Sequence, residues 1–97
     1  MEQANFHPLA TRELNDAAAY YEFQNRGLGL DFLAAVEHTI DRLLRFPKSG
    51  RLLRGTVRRA LLRGFPYALL YRERADGIRI LAVMHTRRRP WYWTRRR

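Results

Sequence analysis

The sequence predicts an α+β domain: an N-terminal antiparallel helical hairpin packed on one face of a small antiparallel sheet of three to four strands. Two observations predict it, helical hydrophobic spacing from Pro8 to Phe46 and strand-length β-rich runs from Thr56 to His85. A third is the punctuation. Glycines at 27 and 29 divide the first half into two helices, and Pro47 closes the second. The whole chain, residues 1–97, reads as one domain, since domains mostly span about 50 to 200 residues.

Residues 1–7 suit an edge strand, with Phe6 and the following proline favouring extended backbone. Pro8 opens the hairpin of residues 8–46, at a first helical turn where its missing N–H costs nothing. Ala10, Leu14, Ala17, Ala18 and Tyr21 form its apolar stripe, and Glu13 and Asp16 are assigned to the wet side. After the Asn25–Gly29 reversal, Phe32, Leu33, Val36, Ile40, Leu43 and Leu44 keep the helical period. Asp31 near its start and Arg42 and Arg45 near its end complement the helix dipole.

Pro47 to Gly55, with Lys48, Ser49, Gly50, Arg51 and Arg54, reads as a polar loop. Residues 56–85 then predict a three-stranded meander of Thr56–Arg63, Tyr67–Arg72 and Ile78–His85, turning at Gly64–Pro66 and at Ala75-Asp76-Gly77. In the last strand Ile78, Ile80, Ala82 and Met84 are expected to meet the helices, with Arg79, Leu81, Val83 and His85 opposite. Residues 86–97 are a basic aromatic tail in which two arginine triplets bracket Trp91-Tyr92-Trp93. The indoles allow two readings, a recognition surface or a lid folded back on the core.

Charge is segregated along the chain. Residues 47–97 hold fifteen of the nineteen basic side chains against Glu73 and Asp76, a net of +13, whereas the first 46 residues carry −3. Such asymmetry marks a face for an anionic partner. Eighteen of the nineteen are arginine, which grips phosphate or carboxylate bidentately as lysine does not; a GC-rich genome would also favour arginine. Arg58, Arg59, Arg63, Arg72 and Arg79 fall on the strands, and several are expected to form a shallow cationic groove opposite the helices.

Other classes of function are excluded or disfavoured. No window approaches the roughly 18 apolar residues of a membrane span, and the N-terminus lacks a leader pattern, so a cytoplasmic location is expected and no membrane partner. The absence of cysteine removes disulfides and thiol chemistry. His7, His38 and His85 lack ligand spacing, so no metal is expected. Gly27-Leu28-Gly29 follows a helix rather than a strand, and no P-loop is present, so no nucleotide cofactor is expected. Most carboxylates lie on or beside helical faces, where exposed charge is the ordinary explanation.

Ala18-Ala19-Tyr20-Tyr21-Glu22, Gly27-Leu28-Gly29 before Phe32, and Phe46-Pro47 make a recognisable series. It continues with Phe65-Pro66-Tyr67-Ala68-Leu69-Leu70-Tyr71, Ile80-Leu81-Ala82-Val83-Met84-His85 and Arg87-Arg88-Arg89-Pro90-Trp91-Tyr92-Trp93. Together these resemble the ParE/RelE superfamily of toxins from bacterial type II toxin–antitoxin systems, also called plasmid stabilization proteins, over nearly the whole chain. The resemblance implies the fold above, an antitoxin encoded alongside that covers the cationic surface, and growth arrest by the free toxin.

RelE-like members cleave mRNA on the ribosome with an arginine on the central strand, another near the end of the last strand, and a tail tyrosine. In that pattern Ala68 takes the place of the first arginine and Thr86 that of the second, with Arg87 adjacent, while Tyr92 fits and the loop keeps one lysine, Lys48. Phosphodiester cleavage needs a base, an acid and positive charge at the developing phosphorane. The resemblance therefore favours the ParE-like branch, which binds DNA gyrase, traps its cleaved complex with DNA, and uses no catalytic residue.

On that reading His85, Arg87, Arg88, Arg89, Trp91, Tyr92 and Trp93 would bind the target. Arg58, Arg59, Arg63, Tyr67 and Tyr71 would take an acidic or amphipathic antitoxin segment. One alternative is a ribosome-dependent endoribonuclease using His85, Arg87 or Arg88, and Tyr92, with Arg58 or Arg63 on phosphate. The other is a non-toxic nucleic-acid-binding module whose affinity falls steeply with salt.

Overall fold

A computed structural model describes residues 3–97. The chain runs β1 (Gln3–Phe6), α1 (Pro8–Gln24), α2 (Leu28–Arg45), β2 (Arg51–Arg54), β3 (Val57–Leu61), β4 (Tyr67–Arg74) and β5 (Gly77–His85). The strands form one sheet in the order β1-β5-β4-β3-β2, with β1 parallel to β5 and every other pair antiparallel. The helical hairpin covers one face. The α+β expectation holds, with five strands where three to four were expected.

Local chemistry explains both helix starts. His7 caps α1, its Nδ1 accepting from the Leu9 N–H at 3.0 Å with Pro8 inside the first turn. Burial, then the charges of Arg96 and Arg79, lowers the pKa of His7, which keeps the ring neutral and able to accept. The start of α2 is capped from the preceding helix: the Glu22 carboxylate accepts from the N–H groups of Gly27 at 3.0 Å and Gly29 at 3.1 Å. An anion at a helix N-terminus also meets the positive end of the dipole.

Gly29 is where the two helices come closest, since a Cβ there would lie 2.6 Å from the carbonyl oxygen of Ala18. Gly29→Ala is expected to force the helices apart and lower stability by about 1–3 kcal/mol, read as a lower urea midpoint at unchanged slope.

The helix-side core is built on aromatic contacts. Phe32 packs against Tyr21, Phe65 and Tyr67 with ring centroids 5.3, 5.2 and 5.1 Å away, in the tilted and edge-on geometries such rings favour. Leu69, Tyr71, Ile78, Ile80 and Val83 complete it from the sheet.

Two expectations are corrected. The segment read as a loop contains β2, because its entry is pinned from beneath. Tyr71 is fully buried, its hydroxyl donates to the Pro47 carbonyl at 2.7 Å and accepts from the Gly50 N–H at 3.0 Å, and Arg58 donates to the carbonyls of Lys48 and Gly50. The second correction is in β5. Leu70 pairs with Ala82 but Tyr71 pairs with Ile80, so Leu81 is an extra residue in the ladder. One inserted residue reverses a period of two. Ile78 and Ile80 face the helices as expected, but Ala82 and Met84 face away, and Val83 takes their place.

Candidate functional site

The face of the sheet away from the helices is covered by the chain's own tail. Trp93 is 3% exposed and packs with Val57, Ala68, Leu70, Leu81, Ala82 and Met84. Its indole N–H donates to the Pro90 carbonyl at 2.7 Å, closing the tail into a turn over the strands. Of the two readings of the indoles, the lid applies to Trp93, whereas Trp91 remains 48% exposed.

From Trp93 the tail reaches the outer border of β5. β1 pairs with β5 only as far as Ile80, so no strand covers the border beyond it. Side chains close it instead: Glu13 of α1 accepts from the Val83 N–H at 3.0 Å, and Arg96 donates to the Leu81 carbonyl at 3.0 Å. The same carboxylate accepts from the Tyr92 hydroxyl at 2.7 Å and from both terminal nitrogens of Arg96 at 2.8 and 3.1 Å. Arg88 approaches at 3.9 Å, and its guanidinium lies 4.0 Å from the centroid of the Tyr92 ring. Both ion pairs among the described residues end on Glu13.

Glu13 was assigned to solvent, and its side chain is 13% exposed. The signal that finds it is positional. It lies three residues after Ala10 and four before Ala17, both buried, so it belongs on the apolar stripe.

Of the residues expected at a target surface, Arg87, Arg89 and Trp91 are exposed, and Arg88 is half-exposed. His85 lies on the other side of the sheet, edge-on to Tyr67 at 5.1 Å, with its Nδ1 accepting from the Arg87 N–H. With Tyr20, Tyr67, Arg88 and the acids Glu13 and Asp16 it lines a cavity of about 290 Å³. Trp93 is corrected to a core residue, because its apolar ring is taken up by the strands beneath it.

The expected arginine groove is divided. Arg59, Arg72 and Arg79 point away from the helices, since Arg59 pairs with Leu70 and Arg72 with Val57 and Arg79. Arg58 faces the opposite way, beside Tyr71, and Arg63 lies past the end of β3 in a cleft with His38 and Arg42 of α2. Tyr71, expected at a partner surface, is likewise corrected to a buried residue. The half-buried Tyr67 stays open to the His85 cavity.

Burial raises the titration of Tyr21, Tyr67 and Tyr71 above the ordinary tyrosine value of 10.0. Tyr92 is raised furthest, by burial first and then by its hydrogen bond to the Glu13 carboxylate. The folded state thus holds these protons to higher pH than the unfolded state. Their stabilisation is fully present below pH 10 and falls as pH rises beyond it toward the folded values. Thermal melts between about pH 9 and 11 should show this decline, and Tyr92→Phe should flatten it.

No helix among the described residues is long and apolar enough to cross a membrane. A two-helix layer lies on one face of the sheet and a basic, aromatic tail on the other. The family model described as the ParE toxin of the type II toxin–antitoxin system parDE matches residues 4–90. The chain belongs to that family. Among solved structures it is similar to one described as the chromosomal ParDE TA system from P. aeruginosa, with a TM-score of 0.74 at 18% identity. That likeness covers 88% of this chain and 96% of the other, and at this identity it is a likeness of fold. No curated protein matches in sequence.

Proposed function

We propose that the chain arrests growth by binding DNA gyrase, without chemistry of its own, and that a cognate antitoxin neutralises it. The observation that carries this reading is Ala68. It stands where the resembling nucleases carry their central arginine, and it is fully buried in the Trp93 cluster, so that position offers no cation to an RNA phosphate. Arg87, Arg88, Arg89 and Trp91 then form the target-binding surface, with His85 and Tyr92 at its base. Family membership in parDE supports an antitoxin partner, for which Arg59, Arg63 and Tyr67 supply accessible contacts.

The test is a supercoiling assay with purified gyrase. Excess folded chain should abolish supercoiling and accumulate cleaved DNA, and the antitoxin encoded alongside should restore activity. Undisturbed supercoiling refutes the reading. The ribonuclease alternative keeps one supporting observation, that His85 and Arg88 line the same cavity. Against it, the Tyr92 hydroxyl already donates to Glu13. Intact transcripts by primer extension in expressing cells would exclude that alternative.

A further inference from the structure

Between the β2–β3 turn and the tail lies a second cavity of about 360 Å³, where Arg54, Thr56, Arg72, Trp93, Thr94 and Arg96 meet. None of its lining residues is acidic. Arg96 is neutralised by Glu13 at 2.8 Å, but Arg54 and Arg72 have no carboxylate at ion-pair distance among the described residues. Arg72 also stands directly across the strands from Arg79, a placement that like charges disfavour.

The Nε of each of these two arginines is buried without a hydrogen-bond partner. The terminal nitrogens of Arg79 reach Asn5 Oδ1 at 3.0 Å and the Arg97 carbonyl at 3.1 Å. Buried polar atoms are ordinarily satisfied, and buried charges are ordinarily paired. An anion in the cavity would supply the counter-charge that Arg72 lacks.

We propose that this cavity is a phosphate-binding site, with Arg54 and Arg72 gripping the phosphate and the hydroxyls of Thr56 and Thr94 donating to its remaining oxygens. Two uncompensated guanidinium groups match the charge of about −1.5 to −2 on a phosphate monoester near neutrality, or one negative charge from each of two successive diester phosphates of a backbone. A single carboxylate would leave one of them unmatched. Tetrahedral oxygens also accept from two arginine forks at once. Trp91 is half-exposed, with the Arg54 guanidinium 5.6 Å from its ring centroid, and so offers a surface on which a base can stack. The phosphate therefore comes from a nucleotide or from a nucleic-acid backbone. The site does not depend on gyrase being the target.

The chain carries two tryptophans, one in the cavity wall and one at its rim, so intrinsic fluorescence reports occupancy. The full chain is titrated at constant ionic strength with pyrophosphate, adenosine triphosphate and a single-stranded oligothymidylate. Pyrophosphate should give a saturable change, weakened by at least about tenfold in Arg72→Gln and in Arg54→Gln and unaltered in Arg95→Gln. Arg54 is exposed, so its substitution leaves the fold intact even if the Arg72 variant melts early. Tighter binding of the triphosphate assigns the nucleotide source; tighter binding of the oligonucleotide assigns the backbone. Absence of a saturable response, an equal response to malonate, or wild-type affinity in Arg54→Gln would overturn the proposal.

Discussion

Glu13→Ala is expected to lower stability by about 3–5 kcal/mol, the usual consequence of removing one partner of a buried ion pair. The carboxylate satisfies the Val83 N–H, the Tyr92 hydroxyl and Arg96 together. Its loss leaves the Arg96 guanidinium, 11% exposed, without a counter-charge. For a domain of this size each kcal/mol moves the melting temperature by about 4–8 °C, so calorimetry should record a drop of about 12 °C or more. Replacing Arg96 by Met in the same chain should recover part of that loss, because the uncompensated charge disappears with it. A single variant within about 1 kcal/mol of wild type would mean that the carboxylate does not hold the tail.

Trp93→Ala should be comparably severe, at about 3–5 kcal/mol for emptying a buried indole site. The ring fills the space above Val57, Ala68, Leu70 and Met84, and its N–H holds the turn through Pro90. Trp93→Phe keeps much of the volume and loses that donor, so it should fall between the two. The substitution also has a functional consequence under the gyrase reading. Arg87, Arg88, Arg89 and Trp91 are placed by the anchored tail, so inhibition of supercoiling should weaken in Trp93→Ala below its melting temperature. Full potency in a folded Trp93→Ala chain would separate the tail from target binding.

Periodicity made the helices and the meander legible. Phe32, Val36 and Leu43 repeat on one side of α2 and are buried together; glycine and proline marked where each helix stops. β2 was hidden because only Leu52 and Leu53 are apolar in a largely exposed strand whose entry is held by hydrogen bonds to Tyr71 and Arg58. The faces of β5 were misread past Ile80 because a bulge leaves no mark in an alternating sequence. At the candidate site the exposure of Arg87 and Arg89 was legible from their charge, whereas the sequence left open which of Trp91 and Trp93 stays exposed. Glu13 was not, because an acid on a helix ordinarily faces water, and its partners lie about 70 to 80 residues further along the chain. The arginines divided between two faces for a related reason. Arg58 and Arg59 are adjacent on one strand and must point oppositely.

The short outer strand has a consequence for behaviour at high concentration. An open strand border is a template on which further copies can polymerise, and proteins blunt it with brevity, bulges and charge. β2 spans four residues, breaks register between Leu52 and Arg54, and carries Arg51 and Arg54 at its ends. At the opposite side of the sheet β1 shields the first part of β5, and a glutamate and an arginine plug the rest. Both routes to runaway fibril growth are thus obstructed, one by a short, bulged strand whose arginines repel those of another copy, the other by an acid–base pair that occupies the free backbone groups.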